Sequence, residues 1–246
     1  MSQDDPLALR DGVEIEGDFH IHGKDERILC VTEAPGRPKN RKVVLNEIVV
    51  GIDGMIPLWR EGVTLYWRFH ERSFRAFANP AAAKARIREL MATALDRWGD
   101  ASPVAFQERE SGWDFEVILR NADDCRNGGC VLASAFFPDK GQHKLTIYPM
   151  MLQQDEEEQI ETLIHEIGHM FGLRHFFAKV SESQNPSEIF GTHVKFSIMN
   201  YGSDSRLTES DRSDLKELYK RARARELVAI NGTPIQLVSP FSSFGT

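Results

Sequence analysis

The sequence predicts a layered α/β or α+β domain built around a mixed sheet. Three observations lead there. Segments of strand length, alternating or rich in aromatic and branched residues, are interleaved with apolar stripes of helical period. Their order is strand, helix, four strands, then two helices, which suits a layer of helices on a sheet. The 246 residues are 41% hydrophobic and 27% charged, enough apolar content to fill a real core.

Taken in order, residues 1–58 read as short strands and turns, with the alternating "VEIEGDFHIHG" followed by the proline, glycine and asparagine loop "APGRPKN". They are set apart as an N-terminal accessory or latency segment from a main domain over 59–222. "VTLYWRF" places Val63, Leu65, Trp67 and Phe69 on one face of a strand. "AAAKARIRELMATALDRW" places Ile87, Leu90, Met91, Ala94, Leu95 and Trp98 on one face of a helix, because the gaps are three and four. "VAFQE", "FEVILR", "VLASAFF" and "KLTIYPM" follow as strands. A second helix is expected over 156–172, its apolar positions being Ile160, Leu163, Ile164, Ile167 and Phe171. A third begins at "LTESDRSDLKELY", where Thr208 is an N-cap with Asp211 three residues on. The tail 223–246 carries "NGTP" between two apolar runs and reads as a hairpin.

Charge and composition exclude several classes. A formal charge of −7 gives no electrostatic support for nucleic-acid or anionic-membrane binding. No segment approaches the roughly 18 uninterrupted apolar residues of a membrane span. The opening "MSQDDPLALRDG" is acidic and lacks an apolar core, so no secretory signal is expected. Three readings then stand: cytoplasmic as written, exported by a leaderless route, or led by a signal that lies outside this sequence. Three cysteines make no disulfide framework. For Cys125 and Cys130 in "CRNGGC" two readings stand, a small closed loop in an oxidising compartment or two free thiols in a turn. The sequence sets no oligomeric state.

The chemistry is concentrated in "LIHEIGHMFGLRHF", residues 163–176. His165 and His169 are four apart, so on a helix they stand one turn above each other and can grip one ion. At about 100° per residue they point away from the apolar stripe of the same helix. Gly172 can end that helix by taking the left-handed conformation, which lets His175 return as a third ligand. Three neutral imidazoles with one open position make a catalytic zinc site, whereas a structural site is closed by a fourth protein ligand. Glu166 lies beside a ligand and projects elsewhere, which suits a general base acting on metal-activated water.

H-E-x-x-H-x-x-G-x-x-H is the metzincin signature of zinc endopeptidases, and the chain resembles that clan. "SIMNYG" at 197–202 is similar to the clan's second mark, a methionine-bearing turn, with Met199 in the expected place. Within the clan the chain is most like a matrixin: "RELMATALDRWGDASPVAFQE" resembles the first helix and second strand, "VLASAFFP" the substrate-binding edge strand, and "LTESDRSDLKELY" the last helix. The resemblance implies a metzincin-like catalytic domain. Its expected parts are a twisted five-stranded mixed sheet with two helices in the upper lobe, a zinc helix, a Met-turn and a C-terminal helix. It implies one catalytic Zn²⁺ and a protein or peptide substrate lying extended along Val131, Leu132, Ala133, Ser134 and Ala135.

There are departures. Ser134 stands where matrixins carry a histidine for a structural zinc, so a second zinc is not expected. "SIMNY" and "LWREGVTLYWRF" are similar to astacins, in which a tyrosine two after the methionine approaches the metal, yet Phe176 stands where astacins carry glutamate. Tyr201 is therefore an extra ligand, an oxyanion donor or a packed aromatic. A latency segment implies Cys30 or Asp18 on the metal, but "RILCVTEAPGRP" lacks the matrixin neighbours of such a cysteine and "IEGDF" has Ile15 at the aromatic position of the astacin pattern. His20 and His22 share a strand face without a third partner. The acidic run "QQDEEEQ" reads as a helix start favoured by the dipole, and structural calcium has no diagnostic spacing. Two alternatives to an endopeptidase stand: a catalytically silent metzincin-like peptide-binding module, and another H-E-x-x-H zinc hydrolase. The retained Glu166 and three histidines argue against the first, and His175 with "SIMNY" against the second.

Overall fold

A computed structural model describes residues 5–8, 10, 27–29, 55–126, 129–174, 198–199, 205–230 and 232–244. The elements in chain order are β1 (Arg27–Leu29), β2 (Ile56–Trp59), β3 (Thr64–Phe69), the one-turn α1 (Glu71–Phe74), α2 (Pro80–Trp98), β4 (Ala105–Glu108) and β5 (Phe115–Leu119). Then come β6 (Cys125–Arg126), β7 (Gly129–Val131), β8 (Ala133–Ser134), β9 (His143–Ile147), the one-turn α3 (Pro149–Leu152), α4 (Glu156–Met170), α5 (Glu209–Arg223), β10 (Ala229–Ile230) and β11 (Thr233–Val238).

The main sheet has five strands in the order β4-β3-β5-β9-β8. Three of its pairings are parallel, and only β8 runs antiparallel, on the outer side of β9. Strand β3 alternates as its sequence promises, whereas β5 is buried along nearly its whole length, as a parallel strand covered on both faces is, with Glu116 buried among its apolar residues. The predicted stripe of α2 is buried at Ile87, Leu90, Met91, Ala94 and Trp98, with Leu95 half-buried beside it. Asn79 caps this helix by accepting from the Ala82 N–H, and Pro80 fits its first turn, where no N–H is needed.

Two smaller sheets flank the main one. In the first, β7 pairs with β1 in parallel and with β6 in antiparallel register, and a disulfide joins Cys125 to Cys130 across the β6–β7 hairpin. In the second, β10 and β11 form an antiparallel hairpin, and β11 runs parallel to β2 with Ile235 opposite Ile56 and Val238 opposite Trp59. Strand β2 thus straddles the expected boundary at residue 58, and the tail closes onto it. Beyond β11, the Ser242 backbone N–H donates to Asp114 Oδ1 at 2.6 Å and the Ser242 hydroxyl lies 3.0 Å from Oδ2. Asp114 Oδ2 also accepts the Tyr66 N–H at 2.8 Å. This buried carboxylate therefore ties the end of the chain to the β3–β5 side of the sheet.

Ile15, Asp18, His20, His22 and Cys30 lie outside the described residues, as do His175, Phe176 and Tyr201. No described helix is long and apolar enough to cross a membrane.

Candidate metal centre

Helix α4 carries the first two histidines. Asp155 caps it by accepting from the Glu158 N–H, and Glu156, Glu157 and Glu158 occupy its first turn, where the macrodipole favours negative charge. The expected helix to 172 ends at Met170, with Phe171 as its C-cap. The Leu173 N–H donates to Gly168 O and the Gly172 N–H to His169 O, with φ +88° at Gly172. This is a Schellman closure, and it needs a residue at ease in the left-handed region. A side chain at Gly172 would also meet Pro57 O at 3.0 Å.

That closure orients a ring. His169 Nδ1 lies 2.8 Å from Leu173 O, the first carbonyl beyond the turn. His165 Nδ1 lies 2.7 Å from Ile198 O, beside Met199. A carbonyl only accepts, so each Nδ1 carries a proton, and in a neutral ring Nε2 is then the bare nitrogen. The two Nε2 atoms stand 3.1 Å apart. Two lone pairs at that distance repel unless a cation lies between them. Nitrogens bound to one tetrahedral zinc at about 2.0–2.1 Å would be roughly 3.3 Å apart, so the pair fits such an ion. A Glu166 carboxylate oxygen joins this group, all three ligand-type atoms lying within 4.8 Å of one another.

The histidine face is not a solvated face. His169 is fully buried, with the Phe137 ring edge-on at 5.3 Å, while His165 is half-buried. Under the helix, Met199 packs against Gly168 so closely that a Cβ there would stand 2.6 Å from its sulfur. Trp98 reaches the same spot, its ring 3.5 Å from where that Cβ would stand, and its indole N–H donates to Ile164 O. The expected single edge strand over 131–135 is divided: Val131 ends β7, which is the middle strand of its own sheet, Leu132 is a break, Ala133 and Ser134 form β8 at the main sheet's outer position, and Ala135 lies beyond it.

Residues 59–220 match the profile of the matrixins, a family of peptidases. The chain belongs to the matrixin family. Matrixins are metzincin-type zinc metalloproteases, and the mixed five-stranded sheet with its helices is the fold expected of one. This matrixin is also 29% identical over 124 residues to metalloprotease AprA of Pseudomonas entomophila (strain L48). That match takes in 46% of this chain and spans a quarter of the relative's length. Among solved structures it is similar to myroilysin, at 15% identity and TM-score 0.41 over 67% of this chain and 96% of that one. It is similar as well to high choriolytic enzyme 1, a hatching enzyme zinc-protease from the medaka Oryzias latipes, at 14% identity and TM-score 0.43 over 66% and 94%.

Sequence reasoning missed two parts of this matrixin's centre. One is Gly168, whose missing side chain admits Met199; a small residue inside the motif was the available signal. The other is a pair of indole donors, the Trp98 N–H on Ile164 O at 3.1 Å and the Trp59 N–H on Met170 O at 2.7 Å, each reaching a carbonyl far along the chain.

Proposed function

We propose that the protein is a zinc-dependent endopeptidase in which His165, His169 and His175 hold the metal and Glu166 is the general base. The observation that carries this reading is the pair of Nε2 atoms 3.1 Å apart, each ring tied through Nδ1 to a backbone carbonyl. Hydrogen bonds of that kind fix tautomer and orientation in metal-holding histidines. The Gly172 turn supports His175 as third ligand, because it reverses the chain three residues before it.

Bound zinc would supply Lewis-acid polarisation of the scissile carbonyl and acidify water at the site. The peptide lies extended along β8, the outermost strand of the main sheet, and pairs with Ala133 and Ser134 as an added strand, since Val131 is already laddered to Leu29 and Leu132 O already accepts the Tyr148 N–H. Glu166 takes a proton from the attacking water on its carboxylate and hands it to the leaving amine nitrogen. Its burial at 2% exposure keeps that transfer away from bulk solvent. Tyr201 is assigned to donate to the oxyanion, and Met199 to support the floor beneath the helix. The bonded Cys125 and Cys130 support work in an oxidising compartment.

Metal analysis followed by digestion of a peptide library, with and without chelator, tests the reading. Zinc-dependent cleavage within the peptides is expected. Glu166→Ala should keep the metal and lower kcat by about 100- to 10,000-fold, the usual worth of general acid–base catalysis. Cleavage by Glu166→Ala at the wild-type rate overturns the role of Glu166. Peptide binding without cleavage by the wild type would leave a binding module instead.

A further inference from the structure

The last carbonyls of a helix have no partner within it. In α4 two of them are taken by side chains from distant elements. Met170 O accepts the Trp59 indole N–H at 2.7 Å, and Phe171 O accepts the Tyr219 hydroxyl at 3.0 Å. The Tyr219 oxygen in turn accepts the Trp59 backbone N–H at 3.2 Å. All three contacts are buried, with Trp59 1% and Tyr219 3% exposed. One or two residues further on lie Gly172, pressed against Pro57 O, and Leu173, whose carbonyl orients the His169 ring.

Strand β2 is itself gripped from its other side. It is laddered to β11, and the Arg60 N–H donates to Val238 O. Arg223 lies over the Tyr219 ring at 4.7 Å and donates to Arg60 O and Pro103 O at 3.0 and 2.7 Å. Arg223 and β11 both fall beyond residue 220, where the matrixin match ends.

We propose that Trp59 and Tyr219 are positioning residues for the metal-holding turn, and that the C-terminal strand β11 completes their clamp. The proposal rests on the zinc reading above. Burial pushes the Tyr219 phenol well above its ordinary range, so the hydroxyl keeps the proton it gives to Phe171 O. The tail is then no appendage: through β2 it sets the Schellman turn, and through Leu173 O the aim of His169 Nε2.

The test uses the full chain, with Tyr219→Phe, which removes one oxygen, and Trp59→Phe. A third variant ends after Glu226 and so lacks β11. The readouts are zinc affinity by chelator competition, the visible spectrum of the cobalt-substituted protein, and far-UV circular dichroism. Phe74→Leu serves as control, because Phe74 packs on Phe69 and Phe77 away from the clamp. It should lower Tm and leave zinc affinity unchanged. Folded Tyr219→Phe should bind zinc about 10-fold more weakly, the lower end of the loss seen when a metal ligand's outer partners are removed, and should shift the cobalt bands. Folded variants with wild-type affinity and spectrum overturn the clamp alone. A wild-type chain that binds no zinc overturns the zinc reading and the clamp together.

Discussion

Gly168 sets how closely Met199 can approach the helix that carries the histidines. A methyl group there would stand 2.6 Å from the Met199 sulfur, so one of the two must move. Gly168→Ala is expected to cost about 1–3 kcal/mol through overpacking, measured by urea unfolding, in spite of alanine's better helix propensity. Because Ile198 O beside Met199 holds His165, the same change should weaken zinc binding. Glu161, one turn before His165, gives a pH test. Burial raises its pKa, with Glu157 adding to the rise and Arg206, 4.0 Å away, opposing it. A raised folded pKa favours the protonated form, so its contribution to stability is present below the unfolded value of about 4.3 and is lost as pH rises through the folded one. Glu161→Gln, compared as the metal-free protein, should therefore raise Tm at pH 7 and lose that gain towards pH 4.

At the scale of elements, α5 opens with a capping box. The Asp211 N–H donates to Thr208 Oγ1 at 3.1 Å, and the Thr208 N–H to Asp211 Oδ2 at 2.8 Å. Thr208→Ala should cost about 1 kcal/mol in chemical unfolding and leave zinc binding alone. This cap was legible in the sequence because both partners lie within one turn. The stripe of α2, the alternation of β3 and the two histidines of α4 were legible for the same reason: a period records which residues share a face. What a face meets is not recorded. Strand β2 is buried along its whole length, so "IPLW" has no alternation to announce it, and the Trp59 N–H finds its acceptor 160 positions away. The burial of His169 beneath Phe137 was hidden likewise, since helical phase says where a ring points and not what covers it.

For the whole molecule, the buried Asp114 is the fastening to examine. Its two oxygens serve Tyr66 in β3 and Ser242 beyond β11, so one carboxylate joins the middle of the sheet to the end of the chain. Asp114→Ala strands those backbone N–H groups, at about 1–3 kcal/mol for a buried unsatisfied donor. Limited proteolysis of the variant should show earlier cleavage near Ser239 than in the wild type. Wild-type resistance there would mean that β11 holds the tail unaided.

The β2–β11 ladder also imposes an order on biosynthesis. Strand β2 leaves the ribosome before most of the domain exists, whereas β11 is translated after α5. Pairing between segments so far apart forms slowly, and early segments otherwise fold first. A nascent chain can thus display both imidazoles of α4 while β2 still waits for its neighbour, and on the clamp proposed above the turn beside His169 would be set only once β11 has been made.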